Sequence, residues 1–142
     1  LFDSGVARAC SGQIYEELDN SWRGFSFETI LVNELRAYCH YKKRARSLYY
    51  YKSSGGYEID LIVELRKKTI STNQKLMAIE LKLAKKWDNR WNSALLNFKS
   101  KSKGKVTHLI GIYCGTETLE MGDVTVYPAE TFLAKLYSGD FF

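Results

Sequence analysis

Two stretches of this sequence alternate apolar and polar residues with a period of two, and each holds a carboxylate inside its apolar run. In Leu76 to Leu83, the side chains of Met77, Ile79, Leu81 and Leu83 point one way from an extended chain, and Ala78, Glu80 and Lys82 point the other. In Tyr57 to Arg66, Ile59, Leu61, Val63 and Leu65 share a face, while Asp60 interrupts Ile59-Asp60-Leu61-Ile62-Val63. Aspartate is among the poorest strand formers, so its place in mid-strand needs a reason. Whatever the chain folds into must contain a sheet and must accommodate these acids.

The neighbouring segments complete the outline. Leu48-Tyr49-Tyr50-Tyr51 is strand-like, and Ser53-Ser54-Gly55-Gly56 is turn chemistry, which predicts a β-hairpin with Tyr57 to Arg66. Before it, a helix is expected from Trp22, with Ser26 as N-cap and Phe27, Ile30, Leu31, Leu35 and Tyr38 at helical spacing. Lys67 to Lys75 reads as a loop. A second helix is expected over Trp87 to about Ser100, its stripe formed by Trp87, Trp91, Leu95 and Phe98. Val106 to Tyr113 is a nearly continuous apolar run, typical of a buried strand. Val124 to Tyr127 is a short strand, and Pro128 opens a last helix, Ala129 to Tyr137, with Phe132, Leu133 and Leu136 facing in. The order predicts an α/β layered protein with a mixed sheet whose first strands are antiparallel.

Size and composition restrict the rest. A chain of 142 residues with 45% apolar and 26% charged residues and one proline is expected to form a single domain over residues 1–142, and wholesale disorder is excluded. No run approaches the roughly 18–20 apolar residues of a membrane helix, so no membrane partner is expected. The start, Leu1-Phe2-Asp3-Ser4-Gly5, is not a signal peptide and reads as a fragment of a longer chain. Cys10, Cys39 and Cys114 are far apart and form no C-x-x-C pair, so neither a zinc site nor a disulfide framework is suggested and a reducing, cytoplasmic setting is expected.

The net charge of +5 is segregated. Arg36, Lys42, Lys43, Arg44, Arg46 and Lys52 occupy a segment without acids, and Lys82, Lys85, Lys86, Arg90, Lys99, Lys101, Lys103 and Lys105 share another with Asp88 alone. Tyr38, Tyr41, Tyr49, Tyr50 and Tyr51 are interleaved with the first segment, Trp87 and Trp91 with the second. Cations with stacking rings suit a phosphate backbone and unpaired bases, and Lys52, Lys85, Lys86 and Arg90 are the candidate nucleic-acid contacts. Solvated faces that aid solubility are the plainer reading of the same pattern.

A third acid, Glu28, lies in line with Val32, Leu35 and Cys39 on the first expected helix. Taken singly, each acid has an ordinary explanation. Glu28 complements a helix dipole, Asp60 reaches solvent near the hairpin turn, and Glu80 with Lys82, about 7 Å apart along the strand, makes a same-face ion pair at a sheet edge. Taken together, the four converge if the strands pair as drawn. Buried anions so close repel one another and each costs several kcal/mol to desolvate, a cost that a hard divalent cation relieves.

The pattern Glu28…Asp60…Glu80-Leu81-Lys82 resembles the active-site signature of the P-D/E-x-K nuclease superfamily, which implies a restriction-endonuclease-like three-layer core with a central mixed sheet flanked by helices. Leu1-Phe2-Asp3-Ser4-Gly5-Val6-Ala7-Arg8, Gly24 to Leu35, Tyr51 to Asp60, Ala78 to Lys82 and Gly122 to Pro128 resemble, in order, the C-terminal domain of unknown function found behind AAA-type ATPase domains in many bacteria and archaea. That likeness implies a preceding ATPase portion as partner; the chain itself has no Gly-x-x-x-x-Gly-Lys-Ser/Thr phosphate loop. It also implies a metal-dependent phosphodiester hydrolase acting on nucleic acid. Asp60 and Glu80 would bind Mg²⁺ or Mn²⁺ with the Leu81 carbonyl as a further ligand, Glu28 would complete the outer shell or hold a second ion, and Lys82 would orient or deprotonate the attacking water. After Lys82 stands Leu83, where the superfamily more often has a small or polar residue. Two other readings are a nuclease-like domain that only binds nucleic acid or protein to regulate the ATPase, its acids vestigial, and a structural cap that uses the last helix and Phe141-Phe142.

Overall fold

In the computed structural model, which describes residues 3–43 and 45–142, the apolar alternation builds one six-stranded sheet. Leu1 and Phe2 of the N-terminal motif and Arg44 of the first basic segment lie outside the described residues. The elements run α1 (Ser4–Cys10), α2 (Asn20–Tyr41), β1 (Leu48–Lys52), β2 (Glu58–Arg66), β3 (Lys75–Lys82), a 3-10 turn (Asn89–Trp91), α3 (Asn92–Lys101), β4 (Val106–Tyr113), β5 (Leu119–Met121), β6 (Val124–Pro128) and α4 (Ala129–Ser138). Strand order is β1-β2-β3-β4-β6-β5, antiparallel from β1 through β3, parallel from β3 through β6, with β5 antiparallel at the far edge. Helices cover both faces. Leu31, Leu35 and Tyr38 of α2 and Phe132 and Leu136 of α4 pack with Leu61, Val63, Met77, Ile79, Leu81, Ile110 and Ile112. Leu95 of α3 packs on the other face with Ile59, Ile62, Ala78, Leu109 and Val124. Among the described residues no helix is long and apolar enough to cross a membrane.

Several boundaries differ from the sequence reading, each for a local reason. The cap of α2 is Asp19, whose carboxylate accepts the Trp22 N–H at 2.7 Å. Ser26 lies inside the helix instead and donates to the Trp22 carbonyl at 2.8 Å. Trp87 precedes its helix: Asp88 accepts the Arg90 N–H at 2.9 Å and starts the 3-10 turn, so α3 begins only at Asn92. Leu83 lies beyond β3 and is exposed, so it does not join Met77, Ile79 and Leu81 in the core. The short elements α1 and β5 carry too little periodicity to be anticipated.

The most consequential departure is in β2. Ile59 does not share the face of Leu61 and Val63 but packs with Ile62 on the α3 side. Between the pairs Tyr51↔Ile59 and Tyr49↔Ile62, Asp60 and Leu61 both stand opposite Tyr50. This is a β-bulge, one extra residue that re-aims the strand. The aspartate that looked out of place in a regular strand is therefore at an irregularity.

Candidate active site

The ladder between β2 and β3 ends at Leu61↔Ile79. One residue further, the Asp60 carboxylate takes the place of a strand partner and accepts the Leu81 N–H at 2.7 Å. The two strands thus part at the end of the sheet where the parallel strands β3, β4 and β6 also finish, at Lys82, Tyr113 and Pro128. Bulge and parted strand ends together let a charged group sit beside a strand without breaking the core below.

Glu80 and Lys82 follow along β3 with the alternation expected of them. Lys82 Nζ lies 2.6 Å from Glu80 Oε1; the Glu80 side chain is 9% exposed and that of Lys82 31%. Glu80 Oε2 is buried with no hydrogen-bond partner among the described residues. The contrast is Glu64 on β2, also buried, whose oxygens accept from Gln74 Nε2 at 2.6 Å and the Tyr49 hydroxyl at 3.5 Å. An orphaned carboxylate oxygen in a buried setting costs free energy that the paired one does not.

The electrostatics express the same crowding. Burial, then the charge of Asp60, pushes Glu80 up to about 7 despite the Lys82 ammonium. Burial also raises Asp60, against the opposing pull of the Leu81 N–H and Lys82. Glu28 stays exposed more than two turns into α2, too far from the Asp19 cap to complement the helix dipole. Partial desolvation and then Asp60 still raise it, with Lys82 pulling the other way. Lys82 is depressed by burial, but its hydrogen bond to Glu80 and the charges of Glu80, Asp60 and Glu28 outweigh that and leave it raised. The four side chains act on one another.

Asp60, Glu80 and Lys82 are thus brought together, with Leu81 tied to Asp60 through its N–H and Glu28 at the rim. Among the described residues no group of three His, Cys, Asp or Glu side chains is close enough to hold a metal ion alone. The donor chemistry still fits Mg²⁺ or Mn²⁺, because Mg²⁺ needs only one or two carboxylates, with water and substrate phosphate filling the remaining positions. The unpaired Glu80 Oε2 is the free donor such an ion requires.

The candidate nucleic-acid contacts are divided. Lys85 and Lys86 are exposed in the loop after β3. Lys52 pairs with Glu58, and Arg90 Nη2 lies 2.5 Å from Asp88 Oδ2, which helps hold the Asp88 carboxyl down at about 2. The sequence reading puts Trp91 on the stripe of the second helix and Tyr50 among the tyrosines of the first basic segment, and neither at the site. Trp91 has Lys82 Nζ 6.0 Å from its ring centroid, and Tyr50 stands across from Asp60. Asp88, a turn cap just before Asn89-Arg90-Trp91, is the signal that would have lifted Trp91 off the helix stripe.

A family model described as "Domain of unknown function (DUF4143)" matches residues 23–132, which includes Glu28, Asp60, Glu80 and Lys82. No curated protein and no solved structure matches the chain.

Proposed function

The chain belongs to the DUF4143 family of domains of unknown function, and on that footing we propose that it is a metal-dependent phosphodiester hydrolase module with a restriction-endonuclease-like core, acting on nucleic acid as part of a AAA-type ATPase. The observation that carries this reading is the meeting of Asp60, Glu80 and Lys82 where β2 and β3 part, with one Glu80 oxygen buried and unpaired. The order of the strands, antiparallel then parallel with helices on both faces, supports it, as does the spacing Glu28…Asp60…Glu80-Leu81-Lys82.

Asp60 and Glu80 would hold Mg²⁺ or Mn²⁺, with the Leu81 carbonyl as a further ligand and Glu28 in the outer shell. The ion supplies Lewis-acid neutralisation of the charge that builds on phosphate. The remaining work belongs to the chain. The Leu81 N–H fixes Asp60, Glu80 fixes the Lys82 ammonium, and Lys82 orients the attacking water and stabilises the developing charge.

The test is cleavage of DNA and RNA in Mn²⁺ by the wild type, Asp60→Ala and Lys82→Ala, with circular dichroism to verify folding. Loss of about 10²-fold or more in each variant is expected; undiminished cleavage in both removes these residues from the reaction. A second reading, a non-catalytic nucleic-acid- or protein-binding regulatory domain of the ATPase, is favoured by the lack of a three-ligand cluster among the described residues. It predicts binding that ignores Mg²⁺ and tolerates both substitutions, and a steep salt dependence would identify the ligand as nucleic acid.

A further inference from the structure

Two aromatic rings lie near the charged cluster, Trp91 by Lys82 on the α3 side of the sheet and Tyr50 across from Asp60 on the α2 side. Trp91 packs edge-to-face on Trp87 with ring centroids 5.2 Å apart, on the side of Lys82. Trp87 is itself fixed: its indole N–H donates to Asn92 Oδ1 at 2.9 Å, and its ring lies on Gly111, where a Cβ would come within 2.6 Å of it. Gly111 is the residue paired with Glu80 in the β3–β4 register, so the indole stack covers the α3 face directly beside the acid. Along β1, Leu48 packs on the α2 side and Tyr51 on the α3 side, so alternation puts Tyr50 on the α2 side. Tyr50 is 58% exposed opposite the Asp60 bulge, near the ion pair of Lys52 with Glu58.

We propose that Trp91 and Tyr50 are stacking platforms for bases on the two sides of the phosphate that reaches Asp60, Glu80 and Lys82, so that the substrate is a single-stranded or unpaired segment of nucleic acid. The inference rests on the hydrolytic reading of that site. A duplex keeps its bases stacked on one another and presents its phosphates outward, so it has no free base face for these rings. An unpaired strand does, and any base suffices because every base has a π-face. Trp91, already packed on Trp87, loses little freedom on binding. The exposed Lys85 and Lys86, between β3 and Trp87, add counter-charge along the strand.

The experiment measures fluorescence anisotropy of labelled oligothymidylate, oligouridylate and a mixed-sequence DNA duplex in EDTA, with the wild type, Trp91→Ala, Trp91→Phe and Tyr50→Ala. Wild type is expected to bind at least one of the single strands more tightly than the duplex. Trp91→Ala and Tyr50→Ala should each weaken that binding by about fivefold or more, with Trp91→Phe retaining most of it. Should Trp91→Ala fail to fold, Trp91→Phe and the edge substitution Tyr50→Ala still decide. Equal affinity for duplex and single strands, or a folded alanine variant that binds like wild type, overturns the proposal. Ring-dependent binding of single strands without cleavage in Mn²⁺ leaves the stacking role standing and removes the hydrolytic reading. Duplex cleavage unchanged in both alanine variants does the reverse.

Discussion

Replacing Glu80 with glutamine isolates what the buried carboxylate does to the fold. Moving this group from its ordinary 4.5 to about 7 means that ionising it costs about 3 kcal/mol more in the folded protein than in the unfolded chain. Between those two values the folded state keeps a proton that the unfolded state releases. Stability from this group is therefore present at low pH and is lost as pH rises through the window, opposite in sign to an acid whose value is depressed by a salt bridge. Glutamine has the same shape and does not titrate. In urea melts of wild type and Glu80→Gln in EDTA, the stability of the variant relative to wild type should climb by about 3 kcal/mol from pH 4.5 to pH 8. Groups remote from the site cancel in that difference, which reads Glu80 together with the acids coupled to it. A flat difference, or one that turns against the variant as pH rises, would mean that the Lys82 ion pair outweighs burial and repulsion, and Glu80 would then be an ordinary structural partner.

Other substitutions test the scaffold around the site. Gly111→Ala should destabilise by about 1–3 kcal/mol in urea melts and alter tryptophan fluorescence, because the added Cβ meets a Trp87 ring that Asn92 holds in place; unchanged stability would show that the indole is free to move. Asp19→Ala removes the α2 cap and should cost about 1 kcal/mol, read by the same melts. Gly139 ends α4 at φ +86°, so Gly139→Ala should cost about 1–2 kcal/mol.

Much of this architecture was legible in the sequence because period two in Leu76 to Leu83, an apolar run in Val106 to Tyr113 and period 3.6 in Phe27 to Tyr38 are strong signals. The candidate site was legible as well, since Asp60 and Glu80 break apolar patterns and a broken pattern stands out. The geometry at Asp60 was not. Regular alternation assigned Ile59 to the face of Leu61, and only the pairing with β1 shows the extra residue that turns it to the other side. A bulge belongs to two strands, so one strand read alone does not reveal it. The helix starts were misplaced for a similar reason: Ser26 and Asp19 are both capping residues by type, and the choice depends on which one the backbone leaves outside the helix. The position of Trp91 beside Lys82 depends on a turn set by Asp88, and helical spacing from Trp87 to Trp91 concealed it.

Calorimetric titration of Mn²⁺ into the wild type and into Glu80→Ala, at pH 8, bears most directly on whether these acids form an ion site. The arrangement of Asp60 and Glu80 predicts a saturable heat for the wild type that is lost in the variant. Silent traces from both proteins, or the same heat from both, would contradict it.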